Sequence, residues 1–336
     1  AHQVTILMSE RGIPASWRHM NGYSSHTYSW INAAGERFWV KYHFKTVQGI
    51  ENLREDQAAR LAGEDGDHHR RDLHDSIASG NAPEWRFCVQ VMPFADAADY
   101  RFNPFDLTKV WPQGDYPLID VGRFVLDRNP ENFFAEVEQA AFNPSNLVPG
   151  TGLSPDRMLM GRIFSYHDTH LHRIGPNYEQ LPVNHAHSPV HSYNKDGAMT
   201  YRHAGAQPVY APNSYGGPVA DPRLASEIAW NVEGAELVRT AYEKHAEDDD
   251  FRQPGTLVRE VMGDAQRDAL VASIVGHASD QVTPEMQLRV IAYWTRVDEQ
   301  IGRRVAEGLG RTNGGGPADP AMRSAQELVD SRAGSA

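Results

Sequence analysis

Apolar residues along this chain recur with two different periods, and the change from one to the other divides it into parts. From Gln3 to Met8 a β-prone apolar run stops at Gly12-Ile13-Pro14, which predicts a strand. Two alternating runs, Thr27 to Asn32 and Arg37 to Phe44, flank Ala33-Ala34-Gly35-Glu36 and predict a β-hairpin. Glu51 to Ser79 is charged and helix-prone with a break near Gly63 to Gly66, and Arg86 to Pro93 returns to alternation. Residues 1–94 therefore read as an antiparallel sheet or barrel that buries aromatic and β-branched residues on one side. From about Ala95 to Pro222 the chain is rich in Pro, Asn and Asp and has little regular period outside one helix. Three amphipathic patterns, Glu227 to His245, Gly255 to His277 and Thr283 to Leu309, then predict a helical unit over 223–309. The Gly- and Ala-rich residues 310–336 read as a flexible tail, and no internal repeat is found.

The helix within the irregular part, in SPDRMLMGRIFSYHDTHLHRIGPNY from Ser154 to Tyr178, has the clearest boundaries in the chain. Ser154 can cap it, Pro155 suits a first helical position, Asp156 complements the positive end of the dipole, and Gly175-Pro176 stop it after Arg173. At 3.6 residues per turn Arg162, Tyr166, His170 and Arg173 share one face, which sets a phenol among cations. A tyrosine is a poor metal ligand until it ionises. One guanidinium at about 4 Å, at an effective dielectric of ~20, offers roughly 4 kcal/mol, near three pKa units. Burial opposes that gain, and a bonded ferric ion would supply the rest. On spacing alone, an ordinary surface contact is the plainer account of such a pair.

Composition narrows the partners. With 336 residues, 40% of them hydrophobic, the chain can fill one large or two ordinary cores. The balance of 32 basic against 44 acidic residues, a net −12, argues against nucleic acid or an anionic membrane surface. No apolar run reaches the ~20 residues of a membrane span. The first residues carry no signal pattern. A lone Cys88 fits a reducing compartment and hence the cytoplasm. The opening AHQVTILMSERG has no initiator Met and reads as the middle of a longer protein.

Sixteen histidines invite a metal-site reading. His170 and His172, two apart on a helix, point about 200° away from each other and cannot easily share an ion. His185, His187 and His191 could bind zinc if extended, but no cysteine or carboxylate stands at ligand spacing among them. A solvated histidine-rich loop is the plainer account, and His68-His69 read as part of a surface helix.

The words R-I-F-S-Y-H-D-T and H-R-I-G-P-N-Y resemble the proximal haem helix of monofunctional haem catalases of the small-subunit type, although many members carry proline at His167. LTKVWP, RNPENFFAEVEQAAF and PSN resemble that family's wrapping segment. The likeness extends to about Leu309. It implies an α+β fold: a catalase-like antiparallel β-barrel, here partial (1–94), a wrapping segment (95–222) with the haem helix at 155–173, and a C-terminal helical domain (223–309). By the same resemblance the cofactor is haem b, Tyr166 is the axial iron ligand, and tyrosine ligation of this kind is the family's known feature. Arg162 would hold it as phenolate, Arg173 and His170 would serve the haem propionates and pocket, and Phe142 and Met158 would pack on the ring. His26 and Asp156 would stand behind Arg162 and fix its position.

The implied reaction is disproportionation of hydrogen peroxide to water and oxygen, in a homotetramer when complete. The family's distal acid–base histidine has no matching word here, so the resemblance covers the later two-thirds of a member, and no catalytic residue of that type is assigned. A second ligand, NADPH, would correspond to His2, Ser9, Arg11, Asn21, Tyr23, Lys45, Val110 and Trp111, with Arg11 and Lys45 attracting phosphates. Gln113 stands where strong NADPH binders carry histidine, and no glycine-rich phosphate fingerprint is present, which weakens that expectation. Two other readings stay open: a haem-binding or peroxidase-like protein of this fold without catalase activity, and a histidine-loop metal binder.

Overall fold

A computed structural model describes residues 1–187, 196–202, 205, 206, 208, 210, 213–216 and 249–311. Its centre is a six-stranded antiparallel sheet: β1 (Gly22–Tyr23), β2 (Tyr28–Ile31), β3 (Arg37–Thr46), β4 (Glu84–Pro93), β5 (Ile119–Val125) and β6 (Thr151–Gly152). The strands run in the order β5-β4-β3-β2-β6, with β1 also paired to β3. The expected hairpin is β2–β3, with Tyr28 opposite Val40 and Ile31 opposite Arg37. Long β3 and β4 pair from Phe38↔Pro93 to Thr46↔Trp85, and their alternation gives the sheet two faces. On one lie Tyr42, Phe44 and Phe87, with the Phe44 and Phe87 rings stacked at 4.9 Å. On the other lie Trp39, Lys41, Gln90 and Met92, all buried beneath residues 94–116.

The irregular segment is thus held by the sheet, through a cluster of Trp39, Met92 and Trp111 with Phe102, Phe105 and Tyr116 around it. It also adds β5, paired to β4 from Glu84↔Val125 to Val89↔Ile119. Its alternation, IDVGRFV, is interrupted by glycine and charge, so it carries little of the period-two signal.

Helices α2 (Glu55–Glu64) and α3 (His68–Ala78) fall where expected, split at 65–67. The N-terminal run corrects the sequence expectation: His2–Met8 is a helix, α1, and not a strand. Ile6 and Met8 pack against a core of Leu270, Ile274, Trp294, Val297, Ile301 and Val305, so neighbouring helices override the β-propensity of Val4, Thr5 and Ile6.

That core belongs to α5 (Arg252–Thr256), continued by a wider turn at Leu257–Val261, and to α6 (Asp264–Ser279), α7 (Pro284–Val297) and α8 (Glu299–Gly308). The pattern over Thr283 to Leu309 is two helices and not one. Extended Asp298 separates them, and its carboxylate accepts from the N–H groups of Gln300 and Ile301 at 2.9 and 3.1 Å. At Gly302 a Cβ would lie 2.2 Å from Thr295 Oγ1, so glycine permits the close α7–α8 approach. The pattern over Glu227 to His245 and residues 312–336 of the tail lie outside the described residues. Among the described residues no helix is long and apolar enough to cross a membrane.

Candidate functional site

Helix α4 spans Arg157–Arg173 and is capped by Asp156, two residues beyond the expected Ser154. The Asp156 carboxylate accepts from Met158 N–H at 2.9 Å and Leu159 N–H at 3.1 Å, while Ser154 Oγ accepts from Asp156 N–H at 3.3 Å. Both residues are buried, at 2% and 3% exposure, so an aspartate oxygen has to be left for a third partner. That partner is His26, whose Nδ1 lies 2.6 Å from Asp156 Oδ2.

His26 is delivered by a break in the edge of β3. Strands β1 and β2 both pair with β3, and between them residues 24–27 leave it; Ser25 takes φ +59°, a left-handed conformation costly for a non-glycine residue. Ser24 braces the turn, its N–H donating to Tyr42 O at 3.0 Å, its Oγ accepting from Tyr42 N–H at 3.1 Å and donating to His26 O at 2.8 Å.

The next contact assigns the tautomer. Arg162 Nη1 lies 2.8 Å from His26 Nε2, and a guanidinium only donates, so Nε2 accepts and the ring proton sits on Nδ1 facing Asp156. Arg162 Nη2 in turn donates to Tyr166 Oη at 2.8 Å. Its Cζ lies 5.0 Å from the phenol ring centroid. The line Asp156–His26–Arg162–Tyr166 points a fixed positive charge at one phenol oxygen. Burial raises the Asp156 carboxyl, but the bond from His26 and the two N-cap N–H groups outweigh it and hold the group below the ordinary carboxylate range.

Arg173 and His170 bond the chain beside α4. The His170 Nε2 donates to Phe142 O at 2.7 Å, and its Nδ1 accepts from Arg173 Nη2 at 3.3 Å, so both ring nitrogens of this buried residue face protein groups. Arg173 also donates to Glu138 O and, at 2.7 Å, to Ala140 O. The pair therefore pins residues 138–142 beside α4. Both His170 ring nitrogens are thus engaged by protein groups.

Phe142 and Met158 are not core residues. They are 82% and 57% exposed, and Met158 stands two helical turns before Tyr166 on the same face. An ionisable phenol held by a guanidinium, with an open phenylalanine and methionine nearby, fits a flat apolar group that carries a hard ferric ion. His167 places its Nδ1 3.1 Å from Tyr178 Oη, and α4 continues past it to Arg173.

The second-ligand set divides. Asn21, Tyr23 and Lys45 meet: Asn21 Nδ2 and Lys45 Nζ each lie 3.1 Å from Tyr23 Oη. Ser9 is 2% exposed and its hydroxyl is spent on Arg11 N–H and Ile6 O. Burial holds the His2 imidazole below its ordinary range, opposed by a bond to Gln253. Gln253 also bonds both Val110 N–H, at 2.9 Å, and Val110 O, at 3.1 Å. Trp111 is 3% exposed in the sheet-side cluster, and Arg11 is exposed on the turn after α1.

The histidine-loop reading rests in part on residues outside those described. His185 and His187 rings lie 5.4 Å apart, His191 is outside the described residues, and no group of three or more metal-ligating side chains occurs among the described residues. Two site residues had no sequence signal. Tyr28 on β2 lies in the field of Arg162, Asp156 and Tyr166, with burial raising its phenol and Arg162 opposing. Lys41 on β3 is the other. Their alternation in a strand gave each the look of an ordinary sheet residue.

Known proteins match the chain over most of its length. The family model described as Catalase matches residues 1–217, and one described as Catalase-related immune-responsive matches residues 244–309. A catalase of Methanosarcina barkeri is 53% identical over 310 residues, 92% of this chain and 60% of that protein. A bromoperoxidase-catalase of Streptomyces venezuelae is 52% identical over 306 residues, 90% of this chain and 62% of that protein. Among solved structures, a bacterial catalase matches with a TM-score of 0.84 at 46% identity, covering 93% of this chain and 64% of its own. Catalase A from Saccharomyces cerevisiae matches with a TM-score of 0.83 at 39% identity, over 92% and 64%. The chain thus spans 60% to 62% of the length of these two curated relatives.

Proposed function

This chain belongs to the catalase family, and from that premise we propose that it carries the proximal site of a haem b catalase that disproportionates hydrogen peroxide to water and oxygen, with Tyr166 as the axial ligand. We assign the whole protein to the cytoplasm and to a homotetramer on the same footing. The observation that carries the reading is the 2.8 Å bond from Arg162 Nη2 to Tyr166 Oη, backed by His26 and Asp156.

Bound haem supplies the redox chemistry on peroxide. The chain's own residues prepare its ligand. Arg162 Nη2 donates to Tyr166 Oη over 2.8 Å, which sets a fixed positive charge at the atom that would bind iron. His26 keeps the guanidinium in place by accepting one of its protons at Nε2, and Asp156 holds that tautomer from the other side. Phe142 and Met158 offer apolar surface to the ring. Arg173 and His170 set the backbone of residues 138–142 against α4. The reading leaves out NADPH, because Gln253 engages the Val110 backbone and Trp111 is buried.

Replacing Tyr166 by Phe in the haem-loaded protein should remove the high-spin ferric spectrum of a tyrosinate complex and abolish oxygen evolution from peroxide. Full activity and an unaltered spectrum would refute the assignment. A second reading, peroxidase-like oxidation, is favoured by the bromoperoxidase-catalase name of the Streptomyces relative. Halogenation or dye oxidation without oxygen release would select it.

A further inference from the structure

Residues 139–142 follow the wide helical turn Phe134–Glu138 and lie in neither helix nor strand, so their backbone polar groups need partners from elsewhere. Three side chains supply them. Arg173 bonds Glu138 O and Ala140 O, and His170 bonds Phe142 O at 2.7 Å. The third is Asn184, whose Oδ1 accepts from Ala141 N–H at 2.8 Å and whose Nδ2 donates to Gln139 O at 2.9 Å and to Tyr178 O at 3.0 Å. Both N–H donors and the oxygen of one amide are thus engaged, and they join three stretches of chain.

These bonds fix the direction of one side chain. Ala141 N–H and Phe142 O are held on either side of the Phe142 Cα, and a backbone rotation that turned the ring inward would break one of them. Ala141 therefore faces in, at 7% exposure, and Phe142 faces out, at 82%. Asn184 also reaches α4 by a second route: Tyr178, whose carbonyl it bonds, is 4% exposed and sets its ring 5.4 Å from that of His170. The outward aromatic stands in fixed register with the helix that carries Tyr166. A side chain held this way keeps only its own torsions free, so little ordering remains when a flat group packs on it.

We propose that Asn184 is a positioning residue for the proximal site: it holds the 138–142 backbone so that the Phe142 ring stands ready against the haem face. The inference rests on the reading of haem as the group beside Tyr166. The rate of haem transfer from the haem-loaded protein to excess apomyoglobin tests it, in a double-mutant cycle of wild type, Phe142→Ala, Asn184→Ala and the two combined. Each single change should speed release by about tenfold, and in the Phe142→Ala background Asn184→Ala should add less than about twofold.

A merely structural asparagine would add its full factor whether or not the ring is present. Equal factors in the two backgrounds, or an Asn184→Ala rate equal to that of the wild type, would overturn the proposal. Asn184→Ser is too short to span the three groups but keeps a hydroxyl there, so it carries the same cycle if Asn184→Ala fails to fold. An unchanged rate in Phe142→Ala would overturn the packing of Phe142 on the ring, and this proposal with it. An unchanged Tyr166→Phe spectrum would instead overturn the ligand reading first, and the proposal through it.

Discussion

The buried Asp156–His26 end of the proximal network and the α6–α8 cluster are held in opposite ways. Around Asp156 and His26 every side-chain polar atom has a partner at a fixed distance, and the loss of one strands another. In the helical cluster Leu270, Ile274, Trp294, Ile301 and Val305 share non-directional contacts, so stability is spread across many residues. Damage to the first should therefore appear in ligation before melting, and damage to the second in melting before ligation.

Arg162→Met gives the largest separation of the two. The variant removes the charged donor at Tyr166 Oη, so the tyrosinate spectrum of the haem-loaded protein should be lost. Visible spectroscopy and thermal melts on one sample check it, and a melting loss without a spectral change would break the distinction. Ile301→Ala is the converse. Removing a fully buried side chain should cost about 2–5 kcal/mol by denaturant titration and leave the ferric spectrum unaltered.

Asp156→Asn sharpens the comparison, because asparagine retains capping ability but gives up the charge beside His26. A loss of about 1–3 kcal/mol is expected near neutral pH. Its pH dependence follows from the direction of the shift. A carboxylate held below its unfolded value contributes stability above about pH 4, and that contribution fades as the pH falls through the lowered value. Wild type and Asp156→Asn melts should converge in acid; a gap that widens below pH 4 would contradict the geometry. The smallest effect is at Thr283, whose side chain caps α7 at Met286 N–H over 3.4 Å: Thr283→Ala should cost about 1 kcal/mol and touch nothing in the spectrum.

The same contrast explains what could be read in the sequence. The stripe of Arg162, Tyr166, His170 and Arg173 was visible because a helix maps spacing onto a face. His26 lies 130 residues from Asp156, and only the resemblance joined them before the fold did. The cap fell on Asp156 because the Ser154 hydroxyl is used by Asp156 N–H. The N-terminal run was misread for the opposite reason: β-branched residues favour strands only where another strand is available, and here α6 is the neighbour. Lys41 alternates with Trp39 and His43 like any strand residue, and nothing local marks that its ammonium ends buried against the Lys109 carbonyl.

The account stands on Tyr166 being a phenolate bound to iron. Resonance Raman spectra of the ferric haem-loaded protein, with tyrosine supplied either unlabelled or ring-deuterated, test this directly. Phenolate modes that move with the label, and vanish in Tyr166→Phe, are the expected result. Label-insensitive spectra, or modes that survive in Tyr166→Phe, would contradict it.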